Sequence, residues 1–522
     1  MRTFFIASAL LSCATLFGQV GTLDPSFDGD GLVSTAIGSI NDKGTAVCAL
    51  PDGKILVAGR ADVDFDADMI FYGDIALVRY MPDGSLDTTF GTGGMVTTDI
   101  GGEHDGGWAI AAQPDGKIMV AGSYYNGPQI DGALVRYLAD GSLDPDFNGD
   151  GIATVYLGPG NDVFYSLALQ PDGKILVGGA RSSGGSALFA VMRFLPDGSP
   201  DGGFGSAGFG DPFMANTPQT FRSIALRADG TILAGGFAGL LADADLALCR
   251  YLPDGSLDAS FGTNGGTITS VGSDMDQIMS IAEQADGKVV AVGRTRVGTQ
   301  DDVLLVRYLS DGSLDGSFGT GGVVVYPIGL DHDLASSVVV TGDGKILVGA
   351  QTFDGTFYDP VVLRFLPDGS LDTGFGSGGI VTLPVHNAQD LGNLVSLALH
   401  SAGGILIVGS AHNGSNFDVS VARIINDLNI GVTDFMASGS PLSIYPNPLA
   451  DHAVFEYELA SDERLTCELY DDQGRCVRTL FKGSYQAGVQ RAALELSGIA
   501  AGCYTIVLCN GMGCSYARVL KR

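Results

Sequence analysis

One repeating unit organises most of this sequence. Its first full copy reads Pro51-Asp52-Gly53-Lys54-Ile55-Leu56-Val57-Ala58-Gly59, then an apolar run around Arg79, then Leu86-Asp87-Thr88-Thr89-Phe90. The closing phenylalanine recurs after 63 residues once and then after 57 residues five times, at Phe27, Phe90, Phe147, Phe204, Phe261, Phe318 and Phe375. The Pro-Asp-Gly-Lys segment and the arginine also have seven copies. Such self-similarity at a fixed period is the signature of a repeat architecture.

Each unit predicts four short β-strands. In residues 95–138 the apolar runs are 95–100, 108–113, 117–122 and 133–138, and turn residues separate them. No helical periodicity persists in this segment, whereas short runs between turns are typical of strands. Four-stranded units in tandem are typical of a propeller blade, so seven copies predict an all-β, seven-bladed β-propeller.

The phase of the repeat predicts how the ring closes. The first copy begins late, with a strand at 32–37, and the last copy stops early, after Arg423. We therefore expect the N-terminal strand to complete the blade whose other three strands lie between residues 395 and 425. Closure of this kind removes exposed sheet edges.

The repeated arginine lies within an apolar run in every copy, and we expect it to form an ion pair there. In six copies an aspartate follows the arginine by eight residues, and Asp24 is expected to supply the carboxylate missing after Arg423. A buried charge without a partner is costly, and a motif repeated in every blade indicates a structural brace rather than catalysis. The braces join Arg79, Arg136, Arg193, Arg250, Arg307, Arg364 and Arg423 to Asp87, Asp144, Asp201, Asp258, Asp315, Asp372 and Asp24.

Composition excludes several classes of protein. The 522 residues include 78 glycines, and 59 acidic against 28 basic residues give a net charge of −31. This balance argues against nucleic-acid binding, which needs basic surface. No apolar run reaches the ~20 residues of a membrane-spanning helix.

Two resemblances extend this interpretation. On the Leu-Asp-x-x-Phe and Pro-Asp-Gly-Lys motifs, residues 23–425 resemble the delta-60 repeat family of secreted β-propellers, which implies the fold and transfers no catalytic residue. Residues 442–522 resemble a type IX secretion C-terminal sorting domain, which implies a small immunoglobulin-like β-sandwich recognised by the secretion machinery at the outer membrane of a Gram-negative bacterium. The motif residues are Tyr445, Pro446, Asn447, Pro448, Gly502, Tyr504 and Lys521. A generic β-sandwich adhesion module is the alternative for this domain.

The chain is expected to have four segments. Residues 1–18 are expected to form a signal peptide. Arg2 gives it a positively charged start, an apolar stretch comes next, and small or polar residues end it. A lipobox at residues 10–13, with Cys13 as the lipidated residue, is the alternative. The propeller is expected at 19–430, a linker at 431–441 and the sorting domain at 442–522.

Export to an oxidising compartment permits disulfide bonds. Cys509 and Cys514 flank the glycine-rich segment Asn510-Gly511-Met512-Gly513, which predicts a hairpin turn. Because a hairpin places the two cysteines opposite each other, they are the best candidate for a disulfide.

The channel mouth is the first candidate binding site. Aspartates near the start of the innermost strands are predicted to ring this mouth, where they could hold Ca²⁺ or a basic group, or each could cap its own turn. His104 and Trp108 lie near the same mouth, and the indole offers a face for a sugar ring. The aspartates are Asp42, Asp105, Asp162, Asp276 and Asp333.

A second candidate is a calcium loop. Asp146, Asn148 and Asp150 have the 1, 3, 5 spacing of calcium ligands, followed by a glycine at position 6. The bidentate glutamate expected at position 12 is absent, since Leu157 stands there. Ca²⁺ is the one cofactor that the sequence suggests.

These features predict an exported, acidic and monomeric propeller that serves as a secreted or surface binding or scaffold module for a glycan or protein ligand. A secreted polysaccharide hydrolase or lyase, with its site near His104 and Asp105, is the alternative. A structural surface-layer component without a discrete ligand is the third interpretation. The six histidines form no HExxH motif, and a non-catalytic role is favoured.

Overall fold

The computed structural model describes residues 20–65, 71–101, 104–156, 159–183, 186–213, 217–240, 243–272, 274–385, 395–400, 403–426, 443–445, 452–459, 462–470, 476–499, 502–509 and 514–521. The described residues form two compact units, one within Met1–Ile430 and one within Gly431–Arg522. Both are built from strands, and no helix in the described ranges has the length and apolarity needed to span a bilayer. The predicted signal peptide with Cys13 and the predicted linker lie outside the described residues.

The first unit is the predicted seven-bladed propeller. Blade 1 contains β2 (Asn41–Ala49), β3 (Ile55–Phe65), β4 (Phe71–Tyr80) and β5 (Met95–Thr98). Blade 2 contains β6 (Gly106–Ala112), β7 (Ile118–Tyr125), β8 (Ile130–Tyr137) and β9 (Ile152–Val155). Blade 3 contains β10 (Asp162–Leu169), β11 (Ile175–Ser183) and β12 (Ser186–Phe194).

The remaining blades repeat this antiparallel order. Blade 4 contains β13 (Gln219–Leu226), β14 (Ile232–Ala238), β15 (Asp245–Tyr251) and β16 (Gly266–Thr269). Blade 5 contains β17 (Asp276–Glu283), β18 (Val289–Val297), β19 (Gln300–Tyr308) and β20 (Val323–Tyr326). Blade 6 contains β21 (Asp333–Val340), β22 (Ile346–Phe353), β23 (Tyr358–Phe365) and β24 (Ile380–Thr382). Blade 7 contains β25 (Ser396–Leu399), β26 (Gly404–His412), β27 (Phe417–Ile425) and the N-terminal β1 (Leu32–Thr35).

The blade 7 sheet confirms the predicted closure. β1 pairs with β27 over four residues, from Leu32 opposite Ala422 to Thr35 opposite Val419. Its neighbour Phe27 is completely buried in a core cluster that also contains Val408 and Val421. The two ends of the propeller sequence are therefore joined by backbone hydrogen bonds and by a shared core.

Local sequence explains the first hairpin of each blade. In blade 1 the Leu50 N–H donates to the Lys54 carbonyl (2.8 Å), and the Asp52 carboxylate accepts the Lys54 N–H (3.1 Å). Gly53 has a φ of +85°, which favours glycine. The following strand is buried on both faces, because blades pack against it from either side, and this explains its unbroken apolar run Ile55-Leu56-Val57-Ala58.

Blade 3 differs from the prediction at its outer edge. Its fourth strand is reduced to a single bridge between Met192 and Phe209, followed by a bond from the Gly210 N–H to the Val191 carbonyl (2.9 Å). Pro212 follows two residues later, and proline has no N–H to donate to a strand ladder. Pairing therefore stops early in this blade.

The seven predicted Arg–Asp pairs are all present. Each arginine Nε lies 2.6–2.8 Å from the Oδ2 of its aspartate. Each guanidinium also lies over the phenylalanine of the repeat, 4.4–5.0 Å from the ring centre. In five blades the lysine of the first hairpin reaches the same carboxylate, as Lys117 does to Asp144 (2.8 Å).

The braces also connect neighbouring blades. The Arg136 Nη1 donates to the Pro196 carbonyl of blade 3 (2.5 Å), and five other arginines make the equivalent bond to a backbone carbonyl. Arg364 donates instead to the Asn426 side chain (2.9 Å). Arg423 reaches the Pro82 carbonyl of blade 1, so the chain of inter-blade bonds is closed into a ring.

The second unit has two sheets. One contains β28 (Ser443–Tyr445), β29 (His452–Leu459) and β32 (Gly488–Glu495). The other contains β31 (Cys476–Tyr485), β30 (Glu463–Tyr470), β33 (Gly502–Cys509) and β34 (Cys514–Lys521). Phe455, Leu465, Cys467, Leu494 and Ile506 lie in the core of this unit. The immunoglobulin-like class stays a prediction.

The sorting-motif residues lie at strand ends. Tyr445 ends β28, Gly502 begins β33 with the half-buried Tyr504, and the buried Lys521 ends β34. Pro446, Asn447 and Pro448 lie outside the described residues. Cys509 and Cys514 are register partners in the β33–β34 hairpin, as predicted, and the disulfide itself stays a prediction.

Candidate functional site

The predicted ring of aspartates lies where the first strands of the blades begin. Asp162, Asp276 and Asp333 are the first residues of their strands, and Asp42 and Asp105 hold the same place in blades 1 and 2. All five side chains are at most 2% exposed.

Loop N–H groups hold these carboxylates. Asp105 accepts hydrogen bonds from the N–H groups of Ile100 and Gly101, and Asp42, Asp276 and Asp333 accept from the equivalent loop positions. Burial raises the pKa of Asp105 and of Asp42 even though these N–H groups oppose the shift. The aspartates therefore cap their own loops.

Ligand binding by the ring of aspartates stays a prediction. For Asp42, Asp105, Asp276 and Asp333, the loop that enters the first strand donates N–H groups to the buried carboxylate. Sequence position placed the residues at the correct end of the strands but could not show that the loops cover them.

His104 is buried and Trp108 is half-buried. His104 is 7% exposed, and its ring packs edge-on against Tyr125 at 4.9 Å. The Trp108 Nε1 donates to the Ser123 hydroxyl (3.2 Å), and the Arg60 guanidinium lies 4.3 Å from the centre of the indole. Because Arg60 covers one face of the indole, that face is closed to the sugar ring that the sequence suggested.

The predicted calcium loop has its polar groups engaged locally. The Asn148 amide donates to the Ile152 carbonyl (2.7 Å), and the Asp150 carboxylate accepts the Ile152 N–H (2.9 Å). The Asp146 N–H donates to the brace residue Asp144 (3.1 Å). These bonds shape the turn without a metal, and calcium binding by Asp146, Asn148 and Asp150 stays a prediction.

The first strands of all seven blades surround a central channel with a cavity of about 220 Å³. Six of these strands carry a β-bulge near the cavity, where one extra residue turns toward the channel. The residue after the bulge is serine in four consecutive blades. Its hydroxyl accepts an N–H from the next blade, as Ser166 does from Ile224 (3.0 Å).

The bulge residues themselves do not repeat. In contrast to the serines, they differ in every blade and give the channel wall an asymmetric chemistry. They are Thr45, Trp108, Tyr165, Arg222, Met279 and Ser336, with Val395 in the seventh position. Trp108 and Tyr165 contact each other edge-on at 5.9 Å, and the Arg222 guanidinium lies 4.0 Å from the centre of the Tyr165 ring.

Arg222 is a positive charge without an internal partner. Among the described residues it forms no ion pair, and its buried Nε has no hydrogen-bond partner. Burial lowers the pKa of the neighbouring Arg294, and the positive charges of Arg296 and Arg222 lower it further. The negative charge of Asp301 raises that pKa and so opposes the shift. Sequence reasoning missed Tyr165 and Arg222. The signal was present, since both stand three residues after the aligned position that Asp162 and Gln219 occupy, and the residue at this spacing differs in every blade.

Two family profiles match the chain. The one described as "Domain of unknown function (DUF5122) beta-propeller" matches residues 70–90, 113–147, 170–204, 227–261, 284–318 and 341–375. The one described as "Secretion system C-terminal sorting domain" matches residues 443–521. The chain joins a DUF5122 β-propeller to a type IX sorting domain. Both predicted resemblances are thereby confirmed, and the sorting domain directs the DUF5122 propeller to the cell surface or the extracellular space.

Solved structures share only remote similarity with the chain. PorZ of Porphyromonas gingivalis, a surface component of the type IX secretion system, is 10% identical, with 92% of this chain and 81% of PorZ covered and a TM-score of 0.26. The polysaccharide lyase Uly1 is 12% identical, with 80% and 94% covered and a TM-score of 0.41. An α-L-arabinofuranosidase of Fusarium graminearum is 13% identical, with 60% and 91% covered and a TM-score of 0.37. These values carry no argument about activity, and no curated protein matches the chain.

Proposed function

We propose that the exported DUF5122 propeller is a surface binding module that accepts the acidic end group of a glycan in its central channel. One observation supports this above all: Arg222 lies in the channel wall, and its buried Nε has no hydrogen-bond partner in the described chain. A guanidinium presents a planar set of donors that matches a carboxylate or a sulfate. An anion from outside the chain would complete this arrangement.

The neighbouring aromatic residues support an acidic ligand over a neutral one. Arg60 lies over Trp108 and Arg222 lies over Tyr165, so the rings orient two cations. A neutral sugar would have to displace these guanidinium groups to stack, whereas an acidic group would pair with Arg222. The channel wall therefore favours charge recognition.

Size and net charge restrict the ligand further. Typical small-molecule sites enclose roughly 300–1,000 Å³, and the cavity of about 220 Å³ fits a chemical group better than a whole ligand. The net charge of −31 repels polyanions at long range. A neutral glycan with a single acidic sugar at its end combines a local attraction with little repulsion.

Calorimetric titration of the full chain with three kinds of oligosaccharide tests the proposal. We expect binding of oligosaccharides with one terminal acidic sugar, and weak or no binding of neutral and polyanionic ones. A charge-assisted hydrogen bond contributes ~1.5–3 kcal/mol, so Arg222→Gln should weaken binding about tenfold or more.

Arg227→Gln is the matched control. Arg227 pairs with Glu283 (2.7 Å) and Asp229 (3.4 Å) and is not part of the cavity wall, so this variant should bind normally. Equal affinity for neutral oligosaccharides, or binding that Arg222→Gln leaves unchanged, would contradict the proposal. The alternative of a hydrolase or lyase gains no support from the geometry, because His104 and Asp105 are both buried.

A further inference from the structure

A second repeated set of carboxylates lies at the junctions between blades. Six repeats have an aspartate five residues before the brace arginine, on the third strand of the blade. These are Asp74, Asp131, Asp245, Asp302, Asp359 and Asp418, and Leu188 replaces the aspartate in blade 3. The backbone beside this position contacts the next blade, since the Asp105 N–H donates to the Gly73 carbonyl (2.8 Å) and the Asp276 N–H to the Ala244 carbonyl (2.6 Å).

Third-strand and first-strand aspartates therefore meet at these junctions. A carboxylate oxygen of Asp74 lies within 4.8 Å of one of Asp105. At the junction of blades 5 and 6, burial raises the pKa of Asp302, and the charges of Asp333 and Asp301 raise it further. Two carboxylates close together without a cation repel each other, so the arrangement needs an explanation.

The junction of blades 5 and 6 has a third carboxylate in Asp301, which pairs with Arg294 (3.1 Å) and Arg296 (2.9 Å). At the junction of blades 1 and 2 the third carboxylate is Asp99. Asp99 stands six residues before Asp105, and one oxygen from each of Asp74, Asp99 and Asp105 lies within 4.8 Å of the other two. The residues at the position of Asp99 in other repeats have no carboxylate; they include Ala36, Tyr156, Phe213, Ser270 and Pro327.

The charges of Asp74 and Asp105 are not compensated in the way that the brace charges are. Asp105 is 2% exposed; its Oδ2 accepts the loop N–H groups, its buried Oδ1 has no hydrogen bond of ordinary geometry, and, against the larger effect of burial, the Tyr125 N–H lowers its pKa. Within the described ranges neither Asp74 nor Asp105 forms an ion pair with a lysine, arginine or histidine. Burial raises the pKa of both side chains, and the charge of Asp99 raises both further. In contrast, hydrogen bonds and arginine lower the pKa of the brace residue Asp315.

We propose that Asp74, Asp99 and Asp105 bind a divalent cation, best matched by Ca²⁺, between blades 1 and 2. Ligand oxygens lie 2.3–2.6 Å from Ca²⁺, so two of them on opposite sides are about 5 Å apart, and the observed limit of 4.8 Å agrees with a shared ion. A donor set of oxygens alone favours a hard cation over zinc. The bound ion would neutralise Asp105 and link the two blades.

This site is independent of the glycan proposal, and calcium titration tests it directly. The full chain, freed of metal by chelation, is titrated with CaCl₂ in a calorimeter. Asp99 is exposed, which leaves coordination positions to water, and we expect a dissociation constant of about 10⁻⁴–10⁻³ M, as in extracellular calcium modules. Asp99→Asn should weaken binding at least tenfold without loss of folding.

Asp302→Asn is the matched control, because Asp302 occupies the position of Asp74 at a junction whose third carboxylate, Asp301, pairs with Arg294 and Arg296. It should retain the affinity of the original chain. A chain that binds no Ca²⁺, or one whose affinity Asp99→Asn leaves unchanged, overturns the proposal. Binding that survives Asp99→Asn and is lost in Asp146→Ala, Asp150→Ala also overturns it and places calcium in the other loop.

Discussion

Replacing Asp144 by Asn tests whether the arginine braces stabilise the ring. The Asp144 carboxylate is 1% exposed and lies 2.6 Å from the Arg136 Nε and 2.8 Å from the Lys117 Nζ. Burial opposes its ionisation, but hydrogen bonds from Lys117 and the Asp146 N–H, with the charge of Arg136, lower its pKa. The carboxylate is therefore charged at neutral pH, and asparagine removes that charge with little change in shape.

The expected loss follows from the contacts that remain. Removing one partner of a buried ion pair costs ~3–5 kcal/mol. We take the lower end, because Arg136 keeps its bond to the Pro196 carbonyl and Lys117 is about a quarter exposed. At ~2.1 cal/mol/K per residue, a propeller of about 400 residues has a total unfolding entropy of ~0.8 kcal/mol/K. A loss of ~3 kcal/mol in unfolding free energy therefore lowers the melting temperature by about 4 °C.

Differential scanning calorimetry of the full chain measures this shift. The control Asp140→Asn removes an exposed carboxylate that bonds only to Ser142 of its own turn, and it should melt within about 1 °C of the original chain. The double variant Arg136→Met, Asp144→Leu should recover part of the loss, since it leaves no unpaired arginine. If Asp144→Asn melts together with Asp140→Asn, the braces do not stabilise the ring.

Three further predictions follow from the fold. Deleting residues 20–37 removes the closing strand and the buried Phe27, and it should lower the melting temperature more than Asp144→Asn does; an unchanged melting curve would show that closure is dispensable. The Ser260 hydroxyl and other donors lower the pKa of Asp258 in the folded chain. The charged carboxylate therefore stabilises the fold above its unfolded pKa of ~4, and this stabilisation is lost in acid. The difference in melting temperature between the original chain and Asp258→Asn should shrink below pH ~4, and a constant difference would refute this. Peptide mapping without reductant should recover Cys509 linked to Cys514, and two free thiols would exclude that disulfide.

The fold was predictable because its rules are local and repeated seven times. The eight-residue spacing of Arg79 and Asp87 brings the two together, since the Asp87 N–H donates to the Arg79 carbonyl (2.9 Å) and closes the turn between them. The same spacing, extended across the chain ends, identified Asp24 as the partner of Arg423. A 57-residue repeat with four strand-like runs and no helical periodicity is compatible with few architectures other than a propeller.

Contacts between blades were not predictable in this way. The bond from Arg136 to the Pro196 carbonyl joins residues 60 positions apart, and no local pattern marks the acceptor. Bulges caused the second failure, because one extra residue exchanges the two faces of a strand and brings Tyr165 and Arg222 into the channel. The burial of Asp105 also depends on the loop that leaves the preceding blade, whose Ile100 and Gly101 donate hydrogen bonds to it.

Departures from the repeat locate the two proposed sites. The brace charges, which recur in every blade, are paired inside the chain. Arg222 and Asp99 stand where the repeat is broken, and each adds a charge to a place where the other repeats have none. The carboxylates around Asp99 repel one another, and the buried Nε of Arg222 has no hydrogen bond, so a ligand of opposite sign would stabilise each site. The two sites should therefore respond to different ligands, an anion at Arg222 and a cation at Asp99, and neutralising either residue should leave the other site intact.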